Sequence, residues 1–294
     1  MPLLHLALVL SIIGVWGFNF VIVKVGLEGI PPIFLCFARF FFASIPAVFF
    51  IKRPAVPFKM IVLYGMIMFV LQFSVLFLGI YVGVSAALAS ILLQLQAFFS
   101  IVMAVAFLGE KIQRWQIIGG LVSFMGIALV AMNLGVDISL TGLLLVITAA
   151  VFWGMGSIIS KKMGHINMLS LVIWASLISW PPLLLISFFA EGADQIFYAV
   201  SHLSWQRLGS VFYLAYLATI FGFGIWNWLI RHHPVSKIAP FTLLIPFVGT
   251  VSSALVLGES LPLWKIFAGL LIVGGLCINL LGPRLAAKRS VAVE

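Results

Sequence analysis

The sequence predicts an all-α polytopic membrane protein: ten transmembrane helices arranged as two inverted five-helix repeats. Three observations predict it. Of 294 residues, 64% are hydrophobic and only 8% are charged, whereas soluble globular chains carry about 25% charged residues. The apolar residues gather in ten runs, each near the ~20 residues needed to cross a bilayer core. The third observation is that one stretch occurs twice. Leu108-Gly109-Glu110 is followed by Trp115, Gly120 and Gly126, and Leu257-Gly258-Glu259 by Trp264, Gly269 and Gly275 at the same offsets. A second echo sets Trp16-Gly17 and Lys24 against Trp153-Gly154 and Lys161. Such self-similarity is settled before any other assignment. It divides the chain into residues 1–137 and 138–294, each a five-helix unit.

The ten runs follow in order. The first, 4–24, carries the repeated Trp-Gly pair. It lacks a basic leader and a small-x-small cleavage site, so it is expected to be a retained span and not a signal peptide. The second, 32–51, begins after Pro31 and holds Arg39 and Pro46; the third, 59–80, holds Gln72. The fourth, 85–107, carries Ser90, Gln94 and Gln96 and ends in Leu-Gly-Glu. The fifth, 115–134, has Gly119, Gly120 and Gly126, which read as close helix contacts. The sixth, 140–160, repeats Trp-Gly at Trp153 and adds Ser157. The seventh, 168–190, contains Trp174, Trp180 and the pair Pro181-Pro182. The longest connection, about 191–206, precedes the eighth run, 207–230, with Gly222, Gly224 and Asn227. The ninth, 237–257, has Pro240 and Pro246 and closes on the second Leu-Gly-Glu; the tenth, 264–282, holds Gly269, Gly274, Gly275 and Asn279.

Lysine and arginine set the orientation. With the N-terminus inside, the inner connections and tail hold Lys52, Arg53, Lys59, Lys111, Arg114, Lys161, Lys162, Arg231, Lys237, Arg284, Lys288 and Arg289. The outer side keeps Lys24, Arg207 and Lys265, and gathers Glu28, Asp137, Glu191, Asp194 and Glu259. This bias is the positive-inside pattern, with both termini cytoplasmic. It also accounts for the net charge of +9 without a nucleic-acid partner. An odd number of spans per half inverts one copy relative to the other. Glu110 is then expected at the inner face and Glu259 at the outer. Inverted repeats are a common plan for secondary carriers, with a site near mid-membrane between the halves.

Trp16-Gly17-Phe18-Asn19-Phe20, Pro31-Pro32, Arg39-Phe40 and both Leu-Gly-Glu endings, in this order, resemble the drug/metabolite transporter superfamily in its EamA branch. The resemblance covers nearly the whole chain. Within that branch, Ala89 to Phe99, Ser170 to Ile178, Gly224-Ile225-Trp226 and Ala239 to Pro246 are similar to bacterial exporters of cysteine and O-acetylserine. The resemblance implies an exporter of small amino-acid metabolites in the bacterial inner membrane.

Arg39 is the sharpest candidate residue. It lies seven residues after Pro32, about 10 Å into its span at 1.5 Å per residue. A charge at such depth is costly and faces the protein interior or a wet cavity. Two readings fit it. Its forked guanidinium suits a substrate carboxylate, or it is a structural cation tied to carbonyls freed near Pro46 or to an outer acid such as Glu28. Aligning Ser44-Ile45-Pro46 with Ser179-Trp180-Pro181 sets Arg39 opposite Trp174. As tryptophans deep in spans, Trp153 and Trp174 are expected as the apolar wall; Asn19, Gln72, Gln94 and Asn227 are expected as polar wall or as bonds between neighbouring helices. Gln94 and Gln96 stand about 200° apart on an α-helix, so only one is expected to face a cavity. Pro46, Pro181, Pro246, Gly222 and Gly224 are candidate hinges, because interrupted helices in corresponding spans point to a carrier's site.

Other chemistry is not expected. Cys36 and Cys277 lie inside apolar runs and signal no disulfide or metal. No Asp, Glu or His lies deep in a run, so neither an enzyme's acid–base group nor a buried proton carrier is in evidence. No Gly-rich phosphate loop points to an ATP motor. No cofactor is expected, and nothing in the sequence speaks to oligomeric state. The remaining rival is a translocator of lipid head groups or other amphipathic metabolites.

Overall fold

The computed structural model describes residues 2–134 and 138–291, with the side chains of all of these but 235, 236 and 283–291. Asp137 and the boundary between the two halves lie outside the described residues, as do the side chains of Arg284, Lys288 and Arg289.

The described chain is helical, with ten helices long and apolar enough to cross a membrane. They are α1 (Leu3–Leu27), α2 (Pro32–Phe49), α3 (Phe58–Tyr81), α4 (Ala86–Leu108), α5 (Arg114–Ala131), α6 (Leu140–Lys162), α7 (Met168–Ala190), α8 (Trp205–His232), α9 (Ala239–Leu257) and α10 (Leu263–Gly282). All ten expected runs are helices. The backbone of α10 continues helical into the basic tail as far as Val291. A short helix, Ala193–Ser201, fills the longest connection.

Helices in lipid gain little from burying apolar surface against one another, so close packing through small residues must hold them. Here α5 lies along α10, and α2 along α7. A Cβ at Gly119 would strike the carbonyl of Gly275, and one at Gly275 the carbonyl of Gly119. The repeated Trp-Gly pairs follow the same rule. A Cβ at Gly17 would lie 2.6 Å from Val248 of α9, and one at Gly154 would lie 3.0 Å from the backbone of Phe99 in α4. Thus α1 packs on α9, and α6 packs on α4. Of the glycines read from sequence as close contacts, Gly119, Gly126, Gly269 and Gly275 meet the other half of the chain, whereas Gly120 touches only Phe98 of its own half and Gly274 has nothing within 4 Å.

Irregular helix falls at matched places. α3 and α8, each third in its half, contain π-helical stretches at Gly65–Leu71 and Tyr213–Phe221. α4 and α9, each fourth, contain 3₁₀ stretches at Leu93–Leu95 and Ala239–Leu244. Single π and 3₁₀ stretches within helices are frequent at functional sites.

The candidate hinges sit at such changes. Regular α2 ends at Ser44, and Pro46 starts a 3₁₀ turn over Ala47–Phe49. Pro246 stands in the first turn of the α-helical part of α9. Pro181 and Pro182 lie inside α7 without ending it. Gly222 follows the π stretch, and a Cβ there would lie 2.5 Å from the indole nitrogen of Trp16. Its role in the packing is to admit that ring. Gly224 has room for a side chain.

Candidate functional site

A cavity of about 390 Å³ lies between the two halves. Eight helices supply its wall: Trp16, Asn19 and Phe20 from α1; Arg39 from α2; Tyr64, Met68, Phe73 and Leu76 from α3; Leu93, Gln94 and Gln96 from α4; Trp153, Gly156, Ser157 and Ser160 from α6; Phe223 and Trp226 from α8; and Thr242 and Ile245 from α9. Met168, the first residue of α7, completes it. Ser160, Met168 and Thr242 lie at helix ends on the face where α1 begins. The cavity therefore runs from mid-bundle toward that amino-terminal face. A volume of this order, largely apolar with a few convergent polar groups, has the build of a small-molecule site.

Arg39 is its only ionised side chain among the described lining residues. Only 3% of it is exposed. Its Nε donates to the Thr219 hydroxyl at 3.1 Å, and one terminal nitrogen donates to the Asn19 amide oxygen at 3.4 Å. The guanidinium carbon lies 4.4 Å from the centre of the Phe73 ring. Thr219 belongs to the π stretch, and its hydroxyl donates to the carbonyl of Leu214, five residues back. That bond turns the oxygen's lone pairs toward Arg39. Neither Glu28 nor a carbonyl near Pro46 holds the arginine, so the structural tie considered from sequence is replaced by two neutral partners. A guanidinium has five N–H donors. Among the described residues two are used, and no carboxylate pairs with the charge.

The structure brings Arg39, Asn19, Gln94 and Trp153 together at this cavity and sets three other candidates apart. Trp174 donates its indole N–H to the carbonyl of Ile51, at 2.9 Å. Because α7 packs along α2, Trp174 faces the residues that follow α2. Asn227 accepts from the amide of Met168 and donates to Asn167, tying α8 to the start of α7. Gln72 is fully buried off the cavity, and neither of its amide atoms has a partner.

Other wall residues were not singled out from sequence. Trp16 lines the cavity while donating to the carbonyl of Ala218 at 3.0 Å, and Trp226 lines it beside Asn227. Gln96 faces the same cavity as Gln94. The reason is the 3₁₀ turn at Leu93–Leu95. Three residues per turn set positions two apart about 240° round the axis, about 120° the short way, against about 200°, or about 160° the short way, in an α-helix. A shared hydrophobic pattern gives no signal of that change.

The face opposite the amino terminus is clasped shut by two carboxylates. Glu191, just after α7, accepts from the amides of Ile33 at 2.6 Å and Phe34 at 3.0 Å in the first turn of α2, and from the Ser187 hydroxyl. Glu259, just after α9, accepts from the amides of Ala86 at 2.8 Å and Ala87 at 3.1 Å in the first turn of α4, and from the Ser253 hydroxyl. Helix starts leave amides unpaired and carry partial positive charge, which anions neutralise. On the amino-terminal face Glu110 has no such amides and pairs with Lys161.

An apolar groove of about 350 Å³ lies between α4, α9 and α10 near Lys265. It shares no lining residue with the Arg39 cavity.

Comparison with known proteins gives one consistent result. A profile of the EamA-like transporter family matches residues 3–132 and 140–281. A probable amino-acid metabolite efflux pump of Salmonella typhimurium is 39% identical over 97% of both chains. The protein of the same description in Escherichia coli is 37% identical over 94% of this chain and 95% of its own. A probable terminal-alkyne amino-acid exporter of Streptantibioticus cattleyicolor is 27% identical over 97% of this chain and 95% of its own. A crystal structure sharing 16% of its residues superposes with a TM-score of 0.66 over 97% of this chain and 99% of that one, a likeness of fold.

Proposed function

The chain belongs to the EamA-like transporter family, and from that premise we propose that it exports small amino acids and their derivatives, cysteine and O-acetylserine first among them, across the bacterial inner membrane. Arg39 holds the substrate carboxylate. Asn19 and Gln94 give the polar wall, and Trp153 with Trp16 and Trp226 the apolar one. The observation that carries this reading is the state of Arg39: almost wholly buried, held by neutral groups, with donors to spare at the wall of a substrate-sized cavity. Removing a cation from water costs several kcal/mol unless an anion or hydrogen bonds offset it. A carboxylate cargo supplies that anion in the geometry a guanidinium prefers. The names of the Salmonella, E. coli and Streptantibioticus relatives support an amino-acid cargo and the outward direction.

Transport proceeds by alternating access between two five-helix halves, 1–137 and 138–294, inverted relative to each other. Matched packing of the Trp-Gly helices and matched π and 3₁₀ stretches support the repeat. The lysine and arginine bias places both termini in the cytoplasm. The cavity then faces the cytoplasm, and the Glu191 and Glu259 clasps close the outer side. The described wall has no Asp, Glu, Lys or His to carry a proton, so cargo moves by facilitated diffusion or exchange.

Flux of labelled amino acids in proteoliposomes tests the reading. Arg39→Ala and Arg39→Lys are each expected to lose at least about a hundredfold, two charge-assisted hydrogen bonds at roughly 1.5–3 kcal/mol each, while still inserting and melting cooperatively. Full flux in either variant removes Arg39 from the mechanism. Flux that collapses with the pH gradient removes the uncoupled reading.

A further inference from the structure

A separate cavity of about 340 Å³ opens on the amino-terminal face, between the connection that follows α2 and the start of α7. It shares no lining residue with the Arg39 cavity. The connection brings Lys52 and Arg53 to it, the approach to α7 brings His165, and no described lining residue is an acid. The backbone there is fixed. The carbonyl of Ile51 accepts from the Trp174 indole, and that of Lys52 from the Ser170 hydroxyl. The side chains of Lys52, Arg53 and His165 are exposed and make no hydrogen bond or ion pair with another described residue. Lys161, on the same face, pairs with Glu110 instead. The first amides of α7 are already taken, by the side-chain oxygens of Asn227 and Asn167. Any charge the cavity attracts must therefore be held by its side chains. Just before the two cations, Phe49 and Phe50 stand exposed at the end of α2.

We propose that this cavity holds the phosphate head group of an anionic phospholipid from the leaflet at the amino-terminal face. The forked guanidinium of Arg53 suits two phosphate oxygens, and Lys52 adds a point charge. His165 can donate a ring N–H to the same group. Exposed rings at the end of a spanning helix lie against acyl chains, and cations just beyond them lie at the depth of the head groups. Phe49 and Phe50 stand in that relation to Lys52 and Arg53, which favours a lipid phosphate over a free one. A zwitterionic head group brings its own cation and is a poorer partner for a wall without acids. The site is independent of the role given to Arg39.

Native mass spectrometry in a neutral detergent tests it, with phosphatidylglycerol, phosphatidylcholine and inorganic phosphate titrated in turn. The wild-type protein is expected to retain one phosphatidylglycerol at least about tenfold more tightly than phosphatidylcholine, and Lys52→Gln with Arg53→Gln to lose that preference, about fivefold for each cation removed. Lys111→Gln with Arg114→Gln removes two cations of the same face that do not line this cavity, and is expected to stay within about twofold of wild type. Equal losses in the two double variants would mean diffuse surface charge and overturn the site. A preference that survives Lys52→Gln with Arg53→Gln would overturn it too. Inorganic phosphate that displaces the lipid at equal concentration would overturn the lipid as occupant. A wild-type protein that retains the two lipids alike would overturn the proposal whether or not the variants fold.

Discussion

Glu110 and Glu259 end the same three-residue motif and do different work. The backbones match closely. Gly109 and Gly258 both close their helices in the left-handed region, at φ 67° and 66°, and their amides reach back to Ala104 and Ser253. Beyond the turn the likeness stops. Glu259 accepts two amides of α4 and the Ser253 hydroxyl. Glu110 meets Lys161 in a pair whose side chains are 46% and 57% exposed. The motif encodes a helix stop followed by an acid. Whether the acid becomes a clasp depends on which helix start comes to that face, and in this structure one does so only opposite the amino terminus.

The largest expected effect separates the two acids. Glu259→Ala deletes the bonds from two α4 amides and the Ser253 hydroxyl and leaves the first amides of α4 without their anion, a loss of about 3 kcal/mol. Glu110→Ala removes an exposed ion pair and is expected to stay within about 0.5 kcal/mol of wild type. Thermal unfolding in one detergent compares them, and equal losses would break the distinction. Glu191→Ala is expected to resemble Glu259→Ala, since it frees the first turn of α2 in the same way. The two clasps hold different helices, so their losses are expected to add.

A smaller and equal effect is expected at the shared backbone. Gly109→Ala and Gly258→Ala each force a side chain into the left-handed region, at roughly 1–2 kcal/mol. Neither glycine has an atom near its missing Cβ, so no clash distinguishes them. A difference above about 1 kcal/mol between the two would mean that the motif's two copies differ already in the turn.

The same division, local pattern against tertiary setting, accounts for what could be read in the sequence. The ten helices were legible because lipid demands long apolar runs, and Arg39 because a charge inside such a run is rare. The Leu-Gly-Glu stops were legible because glycine favours that turn. The clasps were not, since Glu259 and Ala86 are 173 residues apart. Thr219 and Gln96 were hidden by π and 3₁₀ stretches that change which side a residue faces while leaving the apolar pattern intact. Matching the two proline regions sets Trp174 opposite Arg39, yet its indole bonds the carbonyl of Ile51 beyond the end of α2.

The smallest expected effect concerns how the amino-terminal face is held. Where the opposite face has carboxylates on helix starts, this one has an imidazole contact: Nδ1 of His5 on α1 lies 2.7 Å from Nε2 of His233, just after α8. His232 and Lys237 also lie near His233. Loss of water contact, and then the neighbouring His5, Lys237 and His232, hold the His233 imidazole below its ordinary value of 6.5. The clasped form therefore binds a proton less readily than the loosened one. The contact is intact above about pH 6.5 and is lost as the pH falls below that value. Hydrogen exchange corrected for intrinsic rates, compared at pH 7.5 and 5.5, is expected to show protection falling severalfold around residues 5–9 and 229–233 at the lower pH. His233→Asn should abolish that dependence. Protection that is the same at both pH values, or a pH response that persists in His233→Asn, would mean that this face is held by packing alone and differs from the other in strength but not in kind.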